Sequence, residues 1–221
     1  MATAATTPPR RFTSPGFIFL DVDGVLASKR CNTFCFESGD PTLVHDPNRE
    51  NVPLERRCLE QLARMAAEGE AAVVVSSTWR LHDDMRAFLF DCLREYGVEI
   101  LGGGSGTGGA DAIWATPDLG SAGRGTEVVQ WLQRWRQAQQ QRGLPSSPVR
   151  YVVLDDNHVE SFLVNGLIER FVRTQYRCPD ECEEGLTAQA ADAALAILAT
   201  EDAAGGGGGG GGDDDALGAV N

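Results

Sequence analysis

Two short apolar runs, each ending in a pair of aspartates, constrain this chain more than any other feature. The first is Phe17-Ile-Phe-Leu20, which runs into Asp21-Val-Asp23-Gly24. The second is Tyr151-Val-Val-Leu154, which runs into Asp155-Asp156. A short apolar run bounded by turn residues suits a strand buried on both faces. Such strands belong to parallel sheets covered by helices, and open α/β sheets bind ligands at the carboxyl ends of their strands. Alternation along a strand would send Asp21 and Asp23 to opposite faces. A turn beginning at Asp23, with Gly24 to open it, swings both toward one pocket. Four carboxylates are therefore expected at the mouth of one sheet.

The segments between these runs follow a strand–helix alternation, which indicates βαβ units. Residues 54–68 place Leu54, Cys58, Leu59, Leu62, Met65 and Ala66 on one helical face, with Gly69 at the end. Ala71–Val75 reads as a second buried strand leading into Ser76-Ser77-Thr78-Trp79-Arg80. A helix is expected over 83–96, a short strand over 98–101, and a helix capped by Thr126 and running to about Arg142. Val128, Val129, Leu132 and Trp135 form the apolar side of that helix, with Trp131 less clearly buried. After the second acidic run, a helix starts near His158, a last strand covers 170–174, and Thr187 caps an Ala-rich helix. The polar stretch 27–53, punctuated by Asp40-Pro41, Asp46-Pro47 and Val52-Pro53, has room for one hairpin or a small flap. The glycine-rich loop 102–109 lacks the Gly-Lys-Ser/Thr ending of a phosphate-binding P-loop. Residues 1–16 and the Gly/Asp-rich tail 201–221 are expected to be disordered. The reading is a single α/β domain over 17–200, three-layered and Rossmann-like, with a parallel sheet of about five strands, helices on both faces and no large cap.

Charge narrows the function. The chain carries a net charge of −13, of which Arg10, Arg11 and five acidic residues beyond position 200 account for −3, leaving −10 on residues 17–200. An acidic body argues against broad, sequence-independent nucleic-acid binding, which needs a basic surface. A small basic pocket for one phosphate group remains compatible with it. Acidic side chains also gather where divalent metals bind. No apolar run reaches membrane-spanning length, and residues 1–16 carry no apolar signal-peptide core. An intracellular, reducing setting with thiols rather than disulfides is therefore expected for the six cysteines.

Asp21 with Asp23, Ser76 or Ser77, Arg124 and Asp155 with Asp156 together describe phosphoryl transfer. A carboxylate can act as a nucleophile. Carboxylates on different strands can hold one Mg2+. A transferring phosphoryl group needs a metal, a cation and hydrogen-bond donors around its oxygens. Arg124 offers a fork that matches phosphate geometry, and the serines offer hydroxyls.

These residues resemble the four motifs of the haloacid dehalogenase (HAD) superfamily, in their order. Asp21-Val-Asp-Gly-Val-Leu resembles the first motif, Val-Val-Val-Ser76 the second, Arg124 the third and Val-Val-Leu-Asp155-Asp156 the fourth. Ser76-Ser-Thr-Trp79-Arg80, the Thr116-Pro117 to Trp131-Leu132 run and Gly185-Leu186-Thr187 resemble the HAD domains of the "Swiss Army Knife" RNA-repair group. The resemblance implies Asp21 as nucleophile, and Asp23 as the acid and then the base for the leaving alcohol and the incoming water. It implies Ser76 on the phosphoryl oxygens, with Ser77 as the alternative, and Arg124 as the neutralising cation, where Lys is more common. It implies Asp155 and Asp156 holding Mg2+ with Asp21 and the Asp23 carbonyl. It implies a phosphorylated substrate, with an RNA or DNA end or a phosphoprotein suiting a pocket without a large cap. The alternative is a non-catalytic HAD-like binding or scaffold domain, to which Asp23 would be of no use.

The neighbouring residues carry competing readings. Trp79 suits core packing, with a stacking platform for a base or sugar as its rival. Arg80 suits either a second substrate phosphate or the surface. His158 suits a helix start, with a substrate contact as the alternative. Cys31-x-x-x-Cys35 and Cys178-x-x-x-Cys182 would make a closed zinc site if they met, and loop thiols otherwise.

Overall fold

The computed structural model describes residues 12–29, 31, 40–46, 52–104, 113–144, 148–177 and 184–200. The strands, in chain order, are β1 (Gly16–Leu20), β2 (Leu43–Val44), β3 (Leu54–Glu55), β4 (Ala71–Val75), β5 (Arg150–Asp155) and β6 (Phe171–Arg173). The helices are α1 (Arg56–Gly69), α2 (Asp83–Glu95), α3 (Arg124–Gln141), α4 (Val159–Val164) and α5 (Ala188–Leu198). The main sheet has the order β4-β1-β5-β6, and each of its pairings is parallel. All five residues of β1 are buried, which suits a central strand covered on both sides. The small antiparallel ladder pairs β2, inside the stretch 27–53 where one hairpin was expected, with β3, which takes the first two residues of the helix expected over 54–68.

The sheet has four strands among the described residues, one fewer than expected. Residues 98–101 do not form a strand. Ile100 makes a single parallel bridge to Val73, and Ala115 makes another to Val75. The chain then turns away as a 3-10 turn over Leu101–Gly104, with Gly102 at φ +73°. Glycine adopts that left-handed backbone at no steric cost, so the glycine run ends the pairing before it can propagate.

Alternation along β1 sorts the core into two layers. Ile18 and Leu20 face a cluster built with α1, α2 and α5. Phe17 and Phe19 face a cluster built with α3, α4 and Tyr151. On that second side, Trp131 meets Phe17 and Phe19 edge-on at 5.1 and 5.2 Å and stacks on Trp135 at 5.7 Å. Trp131 is therefore fully part of the core, and its indole N–H donates to the Ile113 carbonyl at 3.0 Å. Helix α3 starts at Arg124 rather than at the expected Thr126 cap, and the Thr126 hydroxyl donates back to the Ala122 carbonyl at 2.8 Å. Arg124 and Trp131 lie two turns apart, on one face. Packing of Trp131 on β1 thus sets where the first turn of α3 points Arg124.

Residues 12–16 depart from the disorder expected over 1–16. Gly16 is already strand, and Arg150, buried in β5, donates to the carbonyls of Ser14, Gly69 and Leu198 at 2.8–3.2 Å. Its guanidinium also lies 3.6 Å from the centroid of the Phe12 ring. One side chain thereby ties the entry to β1 to the ends of α1 and α5. The remainder of 1–16, the tail 201–221, and Cys35, Cys178 and Cys182 lie outside the described residues, while Cys31 is buried in the core. No described helix is long and apolar enough to cross a membrane.

Helix α3 meets α4 at Gly125. A Cβ built there would sit 2.3 Å from the Ser161 carbonyl oxygen, while the Gly125 N–H donates to Ser161 Oγ at 2.9 Å. Helix propensity alone says Gly125→Ala should stabilise by about 1 kcal/mol. The close approach reverses the sign, and the expected outcome is a loss of about 2 kcal/mol in urea unfolding from overpacking. A stabilised variant would contradict this packing.

Candidate active site

The strand register builds the site. Leu20 pairs with Val75 on one side and with Leu154 on the other. The next residues, Asp21, Ser76 and Asp155, therefore emerge side by side at the carboxyl ends of three adjacent strands. Backbone bonds carry this pairing past the strands: Asp21 N–H donates to the Leu154 carbonyl at 3.0 Å and Ser76 N–H to the Leu20 carbonyl at 2.7 Å. One carboxylate oxygen each of Asp21, Asp155 and Asp156 lies within 4.8 Å of the others. Gly24, at φ +77°, turns the chain against Asp156, and a Cβ there would stand 2.4 Å from the Asp156 Cβ. Only glycine permits both that backbone and that approach.

These carboxylates are poorly compensated within the chain. Burial, reinforced by the neighbouring Asp155 carboxylate, pushes Asp21 from 3.8 up to about 7. Burial likewise raises Asp155, Asp156 and Asp23 above the usual carboxylate range. Asp155 Oδ1 accepts from the Asn157 N–H at 2.8 Å and lies 3.2 Å from His158 Nδ1. Asp155 Oδ2 is buried without a hydrogen-bond partner. An unpartnered buried carboxylate oxygen is costly, and it lies in a cluster of hard oxygen donors of the kind that suits Mg2+.

Each residue expected at the site has a definite place. Ser77 lies beside Asp21 and offsets part of the upward shift that burial gives its carboxyl. The Ser76 hydroxyl accepts from Thr116 Oγ1 at 3.5 Å, and both serines are buried just past β4. Arg124 is buried, with its Nε 4.0 Å from Asp155 Oδ2 and its Nη1 donating to Glu127 Oε2 at 3.3 Å. His158, in the left-handed region at φ +55°, leans on Asp155 from the solvent side.

Trp79 and Arg80, each given a substrate-contact reading from the sequence, are both buried. Trp79 is 1% exposed and presents no open face for stacking. Its indole N–H donates instead to Asp23 Oδ2 at 3.1 Å. Arg80 is buried and donates to the carbonyls of Ser77, Thr116 and Pro117 and to Glu127 Oε2, at 2.6–3.2 Å. It is built into the frame rather than held out to a second phosphate.

Sequence reasoning missed Glu127. Its carboxylate is buried, accepts from both Arg80 and Arg124, and takes the Leu119 N–H on its other oxygen at 3.2 Å. The Arg124–Glu127 spacing is a helical i, i+3 pair and was the available signal. The pairing with Arg80 crosses 47 residues of chain and had none.

A family model described as the HAD domain in Swiss Army Knife RNA repair proteins matches residues 17–191, well over half of the chain. No curated protein and no solved structure matches.

A raised carboxylate must lose its proton before it can ligate a cation. For Asp21 the folded-state value of about 7 exceeds the ordinary 3.8. The stability contributed by its neutral form is therefore complete below pH about 4 and lost as pH rises through about 7. Added Mg2+ should accordingly raise the melting temperature more at pH 8 than at pH 5.5, and Asp155→Asn should abolish the increment. Equal increments at the two pH values would contradict the arrangement.

Proposed function

The chain belongs to the family of HAD domains in Swiss Army Knife RNA repair proteins, and from that membership we propose that it is a Mg2+-dependent phosphomonoester hydrolase that works through a phosphoaspartate on Asp21. The observation that carries this reading is the convergence of Asp21, Asp155 and Asp156 within 4.8 Å, with Arg124 4.0 Å from Asp155 and Asp23 two residues along the chain from Asp21.

Asp21 attacks phosphorus as the bond to the leaving oxygen breaks. Asp23 gives that oxygen its proton, so an alcohol departs and Asp21 carries the phosphoryl group. Asp23 then takes a proton from water as the water oxygen bonds to phosphorus. The Asp21–phosphorus bond breaks, and inorganic phosphate leaves with the carboxylate restored. Ser76 or Ser77 orients the phosphoryl oxygens with its hydroxyl, and Arg124 balances their charge. Asp21, Asp155, Asp156 and the Asp23 carbonyl would hold Mg2+, which when bound supplies the positive charge that keeps Asp21 ionised and offsets the phosphoryl oxygens.

Among the described residues, the four-stranded sheet with helices on both faces carries no large cap over this end. An uncovered pocket suits a phosphate projecting from a larger body. The proposed substrates are an RNA or DNA end or another macromolecular phosphate, and the RNA-repair setting of the family supports the former. The proposed body of the enzyme is residues 17–200, and the proposed setting is intracellular.

Wild-type protein with Mg2+ should release phosphate from an aryl phosphate, and Asp21→Asn should lower the rate at least about 10^3-fold, as expected for loss of a nucleophile. A side-by-side panel of 3′- and 5′-phosphorylated oligonucleotides, phosphopeptides and small phosphoesters then ranks the substrate classes. If wild type releases no more phosphate than Asp21→Asn anywhere in the panel, the domain is a binding module and the proposal fails.

A further inference from the structure

We infer that Trp79 is a positioning residue for Asp23, whose indole N–H fixes which carboxylate oxygen is presented to the substrate. This inference rests on the proposed hydrolase reading and names a residue that the reading does not use. The indole nitrogen can only donate. It lies 3.1 Å from Asp23 Oδ2, and it is the side-chain donor to that carboxylate among the described residues. With Oδ2 occupied, Oδ1 is the oxygen left to face the leaving group and, later, the water.

The donor comes from a rigid element. Trp79 sits in the 3-10 turn Thr78–Leu81 that follows β4. Ser77 Oγ accepts from the Trp79 N–H at 3.4 Å. The adjacent Arg80 is fastened to Ser77, Thr116, Pro117 and Glu127, and the indole itself is 1% exposed. Asp23 is only half-buried, on the loop after β1. The carboxylate with freedom to rotate is thus held by a side chain that has none, which is how a supporting residue preorganises a catalytic group.

Such a residue acts only on the step that needs the proton. The proton passes from Asp23 Oδ1 to the leaving oxygen as the phosphorus–oxygen bond breaks and the Asp21–phosphorus bond forms. A nitrophenolate leaves readily as an anion, whereas an alkoxide needs that proton. A loss of packing alone would slow both alike.

The test is single-turnover leaving-group release, with Mg2+, from benzyl phosphate and from 4-nitrophenyl phosphate. Two variants are compared: Trp79→Phe, and Trp79 replaced site-specifically by 3-benzothienylalanine, which removes the N–H while keeping the ring's shape. Asp23→Asn serves as the reference for complete loss of proton delivery. Both Trp79 variants should slow benzyl phosphate about tenfold or more and 4-nitrophenyl phosphate less than about threefold, a fraction of the full effect of a general acid. KM and the Mg2+ half-saturation should stay within about twofold, since ground-state binding does not involve the indole. Equal slowing of both esters, or wild-type rates on benzyl phosphate in the shape-matched variant, would overturn the inference. If Asp23→Asn itself shows no difference between the esters, the proposed proton transfer fails and takes the inference with it.

Discussion

Asp21 and Asp155 are held side by side, both buried, because β1 and β5 pair in register up to the residues just before them. Two like charges with little solvent repel, and burial penalises each of them alone. The sheet leaves them no freedom to separate, since β1 is covered on both faces and clamped between β4 and β5. Part of that cost is offset by charges and hydrogen bonds placed around the pocket.

The compensation comes mainly from α3 and from the turn after β4. Arg124 brings a positive charge to Asp155 from the first turn of α3, whose position is fixed by Trp131 on the aromatic face of β1. Arg124 would repel the neighbouring Arg80, and Glu127 sits between them accepting from both. The five residues from Ser76 to Arg80 then reach three parts of the site: Ser77 lies beside Asp21, Trp79 touches Asp23, and Arg80 holds Glu127 and hence Arg124. At the other end of the chain, Leu186 N–H donates to the Val25 carbonyl at 2.8 Å and ties the lead-in to α5 to the turn just beyond Asp23. The pocket is thus braced from β4, α3 and the approach to α5, while its acidic centre keeps an unsatisfied oxygen on Asp155. That oxygen belongs to the Asp21, Asp155 and Asp156 carboxylates that could hold a metal ion.

The features legible in the sequence were those encoded over short spans. The apolar runs of β1, β4 and β5 and the acidic residues at their ends are local, as are the Thr187 cap on α5 and the helical faces of α1 and α3. They sufficed for the α/β class, the parallel sheet and the grouping of Asp21, Asp155 and Asp156. The strand expected at 98–101 does not form because its pairing depends on its neighbour in the chain, Gly102, which ends the ladder after one bridge. The roles of Trp79 and Arg80 could not be read because their partners, Asp23 and Glu127, are 56 and 47 residues away. The ordering of residues 12–16 depended on Arg150, which sequence alone leaves as one more charged residue at a strand end.

The proposed chemistry stands or falls on whether the buried carboxylate at position 21 is the group that takes up phosphorus. Rapid quenching of the protein during turnover of an aryl phosphate with Mg2+, followed by borohydride reduction and peptide mass spectrometry, tests it directly, because an acyl phosphate is reduced to the alcohol while a free carboxylate is not. The expected product is homoserine in place of aspartate at position 21, absent without substrate and absent at positions 23, 155 and 156. Turnover with no reduced residue at position 21, or with the reduced residue at another aspartate, would contradict it.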